Sequence, residues 1–367
     1  MKKRDLEKAK RNQQIKDLTQ QLRAKLPNVL KSARITSEGS LHGLVGGKNK
    51  SFIEDIYDKQ ILTPDEFISL WAEGFQLQTT GWGAGFQNLR GRLNRSEPLR
   101  EYLLLFLKRT FLREYDSLSR PRPKSDLAEV WIGSNKLAWG LLVTPRFNEK
   151  NSSWENDRSE VRHFSKKYWS IGHILETGFV VPHKNRKQSF SDTKGYLDFF
   201  VNTLVRQSGS PFEIKIAELY EQYVLASDDP EGVPLLIPEY RYGGIASEHE
   251  YRLDFTIFNE GVRQPKVGFE LSPWSSHGYL RKIKGMTQKE VNQIANDNFQ
   301  KEINKHAKFF KNRDVVVQIY SDDKLKDTNL IFEDMKKYLE MQPEKIQLNF
   351  TALNDVFGKD IVKLHVK

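Results

Sequence analysis

Cysteine is absent from the 367 residues. Disulfides, thiolate metal centres and thiol nucleophiles are therefore excluded, and a reducing compartment is compatible with the chain. No Gly-x-Ser-x-Gly elbow is present, and the eight histidines show neither His-Glu-x-x-His nor His-x-His spacing, which leaves no signal for a serine hydrolase or a zinc peptidase. Gly43, Gly46, Gly47 and Lys48 lack the spacing and the preceding strand that a phosphate-binding loop requires. Long apolar runs are missing as well. The densest, YLLLFL at 102–107, is far short of a membrane span, and the first 30 residues hold no apolar signal core. The expectation is a cytoplasmic protein with no membrane partner.

What is present is ordinary for a globular chain of two or three domains: 38% hydrophobic and 29% charged residues. The net charge is +10, and residues 1–35 carry eleven Lys or Arg against three acids. That balance points to a basic arm, and a polyanionic partner is worth testing.

Residues 5–26 show Ile15, Leu18, Leu22 and Leu26 at helical spacing, with Pro27 as the stop. The arm would lie on phosphates or on a partner, or dock as a solvated helix through its leucine stripe. From 51 to 118 the pattern is helical, with Thr63 and Glu66 forming a capping box and a long helix over 97–117. A Pro- and Arg-rich stretch at 120–124 reads as a boundary. Between 125 and 178 lie Trp131, Trp139, Trp154 and Trp169 beside Arg146, Arg158, Arg162, Lys166 and Lys167. Such residues stack on bases and clamp phosphates, or else form the core of a small α/β domain. Alternation suggests a strand pair at 128–132 and 137–143.

From 208 onward the order is a helix (211–224), three strands (233–242, 251–258, 267–271), a helix (287–310) and a buried strand (315–320), followed by a helix at 330–338 and two strands at 346–350 and 361–366. Two apolar runs in this region each hold one carboxylate, Asp254 and Glu270. Burying an ionised carboxylate in a strand is costly unless it is paired or holds a metal. Alternation places Arg252, Asp254 and Thr256 on one face, and Glu270 shares a face with Gly268 and Ser272. On neighbouring strands the two carboxylates would converge as hard oxygen ligands for Mg²⁺ or Mn²⁺. In the plainer reading, each pairs with an arginine or caps a loop.

The α-β-β-β-α-β order, with Asp on the second strand and Glu on the third, resembles the PD-(D/E)xK nuclease superfamily over about residues 208–322. The resemblance implies metal-dependent hydrolysis of phosphodiesters, with DNA preferred over RNA. It also implies a glutamate on the preceding helix, Glu213 or Glu218, as a further ligand, although Glu213 in Ser-Pro-Phe-Glu is equally explained as part of a capping box. The family usually has Lys where this chain has Ser272. Branches that lose it keep polar groups nearby, and here His277, Asp297 and Lys301 occupy loosely similar positions, with Lys284 and Lys289 as other lysines within reach.

The expected architecture is α+β and multidomain: a basic helical arm (1–36), a helical domain (37–123), a small Trp/Arg-rich α/β recognition domain (124–205), an αβββαβ restriction-endonuclease-like core (206–330) and a C-terminal helix with strands (331–367). The expected function is a DNA endonuclease of restriction or antiviral defence. The site comprises Asp254, Glu270 and Glu213 as metal ligands, with Ser272 and His277 near the water. Arg146, Arg158, Arg162, Lys166 and Lys167 would contact nucleic acid, and a protein partner or second copy completes the expectation. The alternatives are a non-catalytic nucleic-acid-binding or assembly protein on a degraded nuclease fold, and a transposon-end or repair nuclease.

Overall fold

The structure is a computed structural model that describes residues 3–46, 50–56, 58–77, 84–120, 122–123, 128–133, 137–157, 159, 167–246, 252–259, 266–271, 285–320 and 322–366. The side chains of 3–5, 84–86, 295–296, 298–303, 305–307 and 322–323 lie outside that description. Two compact units divide the chain, Met1–Arg122 with Lys345–Lys367, and Pro123–Glu344. Among the described residues no helix is long and apolar enough to cross a membrane.

The first unit begins with α1 (Lys3–Ser32), α2 (Glu38–Val45), α3 (Pro64–Leu77), α4 (Ala84–Arg95), α5 (Glu97–Arg113) and α6 (Tyr115–Ser119). Pro27 does not end α1. The proline is exposed, and the turns around it are anchored by the buried Leu22 and Val29, so packing outweighs one lost backbone bond. The Thr63 capping box forms as expected: Glu66 N–H donates to Thr63 Oγ1 (3.2 Å) and Thr63 N–H donates to Glu66 Oε2 (3.0 Å).

The second unit carries β1 (Glu129–Ile132), β2 (Trp139–Leu142), β3 (Pro145–Asn148), β4 (Ser153–Asn156), α7 (Ile171–Thr177), β5 (Phe179–Val180), β6 (Lys187–Gln188) and α8 (Thr193–Phe199). There follow α9 (Pro211–Ala226), β7 (Leu236–Pro238), β8 (Phe255–Phe258), β9 (Lys266–Leu271), α10 (Gln288–Asn304), β10 (Val315–Tyr320) and α11 (Thr328–Leu339). One sheet has the order β1-β2-β5-β6 and another β10-β9-β8-β7, with β3 and β4 as a separate hairpin. β7, β8 and β9 are antiparallel neighbours, whereas β10 runs parallel to β9. The expected strand pair thus forms as β1 and β2.

No boundary falls at 205/206. Apolar side chains of β1, β2, α7 and α8 share one core with α9, β7, β8, β9 and α11, so the expected recognition domain and nuclease-like core are one unit. The tryptophans are absorbed in packing. Trp131, Trp154 and Trp169 are buried, and Trp139 meets Phe199 edge-on at 5.1 Å. The base-stacking role is therefore not available to the three buried rings. β10, expected as a buried strand, is a sheet edge with Val316 and Ile319 exposed.

The C-terminal strands are also corrected. Residues 341–349 form neither helix nor strand, and α12 (Phe350–Phe357) and α13 (Lys359–His365) follow in the first unit. Side chains of α3 satisfy the incoming backbone: Ile346 N–H donates to Glu66 Oε1 (3.2 Å) and Asn349 N–H to Ser69 Oγ (2.7 Å). Asn349 Oδ1 then caps α12 by accepting from Ala352 N–H (3.0 Å).

His173, fully buried in the second unit, accepts from Trp169 N–H at Nδ1 (3.2 Å), so Nε2–H donates to the Leu142 carbonyl (3.1 Å). Burial pushes its pKa from 6.5 down to about 4, the bond to Leu142 acting in the opposite sense. The unfolded chain takes up a proton near 6.5 but the fold does not. The stability of the neutral ring is thus complete above about 6.5 and lost as pH falls toward 4. Urea midpoints should fall between about pH 7 and pH 5 in the wild type and much less in His173→Gln. Equal acid sensitivity in both would contradict this assignment.

Candidate functional site

Sheet register brings the carboxylates together. In the antiparallel pair β8–β9, Phe255 lies opposite Phe269 and Thr256 opposite Gly268. One step further along, Asp254 falls opposite Glu270. In β7–β8, Pro238 lies opposite Phe255, and the next pair is Glu239 with Asp254. Glu239 N–H donates to the Asp254 carbonyl at 3.3 Å. Glu239 (φ +47°) directly follows β7 and Asp254 directly precedes β8, and the fields of Glu270, Glu213 and Glu239 all reach Asp254. Leu271 N–H donates to Asp254 Oδ2 (2.5 Å) and fixes the orientation of that carboxylate.

The helix before the strands supplies Glu213. Ser210 caps α9 with Pro211 in the first turn, and Ser210 Oγ accepts from Glu213 N–H at 3.3 Å. That local chemistry places Glu213 at a helix N-terminus, which favours negative charge. Glu213 is buried, and its Oε2 has no hydrogen-bond donor among the described residues.

Burial pushes the Glu213 pKa from 4.5 to about 7, with Glu239 and Glu270 adding to the rise and the hydroxyls of Ser208 and Ser210 opposing it. Asp254 is raised well above its ordinary range by burial and by the fields of Glu270 and Glu213, the Leu271 N–H bond pulling the other way. Glu270, Glu213 and Glu239 thus each repel Asp254, and Glu239 and Glu270 each repel Glu213. Two buried arginines stand beside them. Arg252 Nη1 lies 3.7 Å from Glu239 Oε2 and donates to the Gly133 carbonyl (3.4 Å), which also accepts from Arg241 Nε (3.0 Å). Gly133 N–H in turn donates to the Glu239 carbonyl (3.3 Å). Gly133 has φ +105°, and a Cβ there would meet the Leu137 carbonyl oxygen at 2.3 Å, so only glycine fits.

Alternation fails just before β8. Leu253 does not share a face with Phe255: it packs over Gly268, where a Cβ would come within 2.1 Å of Leu253 Cδ1. Tyr242 joins it on that face, its hydroxyl 2.7 Å from Thr256 Oγ1.

Asp254 and Glu270 fall opposite each other with Glu213 within electrostatic reach, whereas Glu218 pairs with Lys215 (3.2 Å) on the exposed side of α9. Ser272, His277 and Lys284 lie outside the described residues, as does the side chain of Lys301. Lys289 is exposed, and Asp297 accepts from Gln293 on α10 (2.8 Å). Arg146 is exposed and pairs with Glu155 across the β3–β4 hairpin. Lys167 is exposed, and Arg158, Arg162 and Lys166 lie outside the described residues. Sequence reading missed Glu239, Arg241 and Arg252 as members of the site. Their signal was an arginine two places before Asp254 and an acid closing an apolar run.

The donor set is all carboxylate oxygen, which suits a hard divalent cation. Among the described residues no three His, Asp or Glu side chains are already gathered to hold one ion. Comparison with protein-family models, with curated proteins and with solved structures returned no match.

The shifted acids give a pH signature. Between 4.5 and about 7 folded Glu213 keeps a proton that the unfolded chain has lost, so its contribution to stability falls as pH rises through that window. A cation bound to the carboxylates would offset the loss. Millimolar Mn²⁺ is expected to raise the melting temperature more at about pH 8 than at about pH 6. An equal rise at both, or none, would count against cation binding there.

Proposed function

We propose that the second unit is a divalent-cation-dependent phosphodiesterase acting as a DNA endonuclease. The observation that carries the reading is the register that sets Asp254 opposite Glu270, with Glu213 of the preceding helix within their electrostatic reach. The sequence α9-β7-β8-β9-α10-β10, with β10 parallel to β9, supports it as well, since this is the element order on which the resemblance to PD-(D/E)xK nucleases rests.

Asp254 and Glu270 would hold Mg²⁺ or Mn²⁺, with Glu213 completing the set. The cation would supply Lewis-acid stabilisation of charge on the phosphodiester and a more acidic water. The chain's own contribution is preorganisation: Leu271 N–H fixes Asp254 Oδ2, and Arg252 compensates Glu239 so that Asp254 meets less repulsion. Restriction or antiviral defence is the proposed setting, in the cytoplasm.

A second reading, a nucleic-acid-binding protein on a non-cutting nuclease scaffold, is favoured by Ser272 where the family has Lys and by the absence, among the described residues, of a gathered three-ligand group. Supercoiled plasmid incubated with the purified chain and Mg²⁺ or Mn²⁺ separates the two. Nicking or linearisation by the wild type, lost in Asp254→Ala and Glu270→Ala, is the expected outcome. DNA binding by all three without cleavage supports the scaffold reading instead.

A further inference from the structure

We infer that Arg23, Arg109 and Arg113 form a site for the backbone phosphates of a nucleic acid on the first unit. The inference goes beyond the proposed cleavage, because it needs neither the cation nor Asp254. α1 and α5 pack antiparallel: Lys25 bonds Glu101 at 2.8 Å, and Arg11 lies over the Tyr115 ring at 4.2 Å. Arg109 leans back along α5, its guanidinium 5.4 Å from the Phe106 ring, as helical side chains do. It is half-buried, and its Nε is enclosed with no acceptor among the described residues. Arg113 stands one turn further on and Arg23 beside the buried Leu22, both exposed. None of the three makes an ion pair with a carboxylate among the described residues.

A half-buried cation with no counter-ion among the described residues, crowded by two others, is costly in the free protein. Desolvation first, then repulsion by Arg113 and Arg23, lowers the Arg109 pKa, with Tyr102 acting against them. Glu38, whose field reaches Tyr102, is 3.7 Å from His42. The helix dipole accounts for a cation in the last turn, at Arg113, but not for Arg109 a turn earlier. The surroundings match a polyanion. The first unit holds 27 Lys or Arg against 16 Asp or Glu, whereas the second holds 31 against 32. An anion bridging the three guanidinium groups would remove the repulsion, and planar guanidinium is the side chain best suited to phosphate.

The test is fluorescence anisotropy of a labelled DNA duplex with the full chain in EDTA, across a salt series. The double variant Arg109→Met, Arg113→Gln is expected to bind at least about tenfold more weakly, with the slope of log Kd against log salt reduced by about two. Arg23→Gln alone, at an exposed site, should reduce it by about one. Lys359→Gln with Lys363→Gln removes the same charge from exposed positions of the same unit and should leave slope and affinity nearly unchanged. Arg109→Met should melt no lower than the wild type, because it removes an uncompensated charge.

Wild-type affinity and slope in the arginine variants would overturn the inference, as would an equal loss in the lysine control. So would a lower melting temperature in Arg109→Met with an unchanged slope, which marks a structural arginine. A wild type that ignores the duplex but is stabilised by millimolar inorganic phosphate through Arg109 would overturn it in favour of a small phosphate ligand.

Discussion

Asp254→Ala and Glu270→Ala are each expected to lower plasmid cleavage by at least about a thousandfold while leaving the fold as stable as before or more so. Removing either acid would deprive the proposed cation of a ligand. Several kcal/mol of charge stabilisation are lost with it, and each ~1.4 kcal/mol is a factor of ten. Stability moves the other way. In the cation-free protein Asp254 is raised by burial and by the fields of Glu270 and Glu213, so the native state bears their mutual repulsion. Deleting one carboxylate relieves the others, and the urea midpoint at neutral pH should rise. Activity lost together with a large fall in stability would mean a structural role. Cleavage that persists in both variants would remove the pair from the chemistry.

Arg252→Met should be among the most destabilising substitutions in the second unit. Its side chain is 2% exposed and lies 3.7 Å from Glu239, which stands in register with Asp254. Removing one partner of a buried ion pair leaves an uncompensated charge, at a cost of about 3–5 kcal/mol in comparable cases. The gap between the charges and the 15% exposure of Glu239 argue for the lower end. The Gly133 carbonyl also loses one donor. Combining Arg252→Met with Glu239→Gln should recover much of the loss, because it removes the stranded charge. A single-variant cost under about 1 kcal/mol, or no recovery in the double, would mean that the pair is not coupled.

Legibility in the sequence followed the range of the interactions. Local chemistry was readable: Thr63 with Glu66 and Ser210 with Pro211 announced helix starts that the structure has, and the runs around Asp254 and Glu270 are neighbouring strands. What depended on distant packing was not. Pro27 reads as a stop, but buried Leu22 and Val29 carry the helix past it. The run VVVQIY reads as buried, yet its place at the sheet edge exposes Ile319. The apolar tail reads as strands because nothing local reveals that Glu66 and Ser69 take its backbone donors. Glu239 was missed for the same reason. Its place beside Asp254 depends on strand register and on Arg252 and Gly133, more than 100 positions apart in the chain.

The central claim is that Glu213, Asp254 and Glu270 hold a divalent cation. Its most direct test is Mn²⁺ titration followed by the electron paramagnetic resonance signal of free aqueous Mn²⁺, comparing the wild type with the double variant Asp254→Asn, Glu270→Gln. Saturable depletion of the free signal by the wild type, absent in the variant, is the expected result. Equal depletion by both proteins, or none by the wild type, would contradict it.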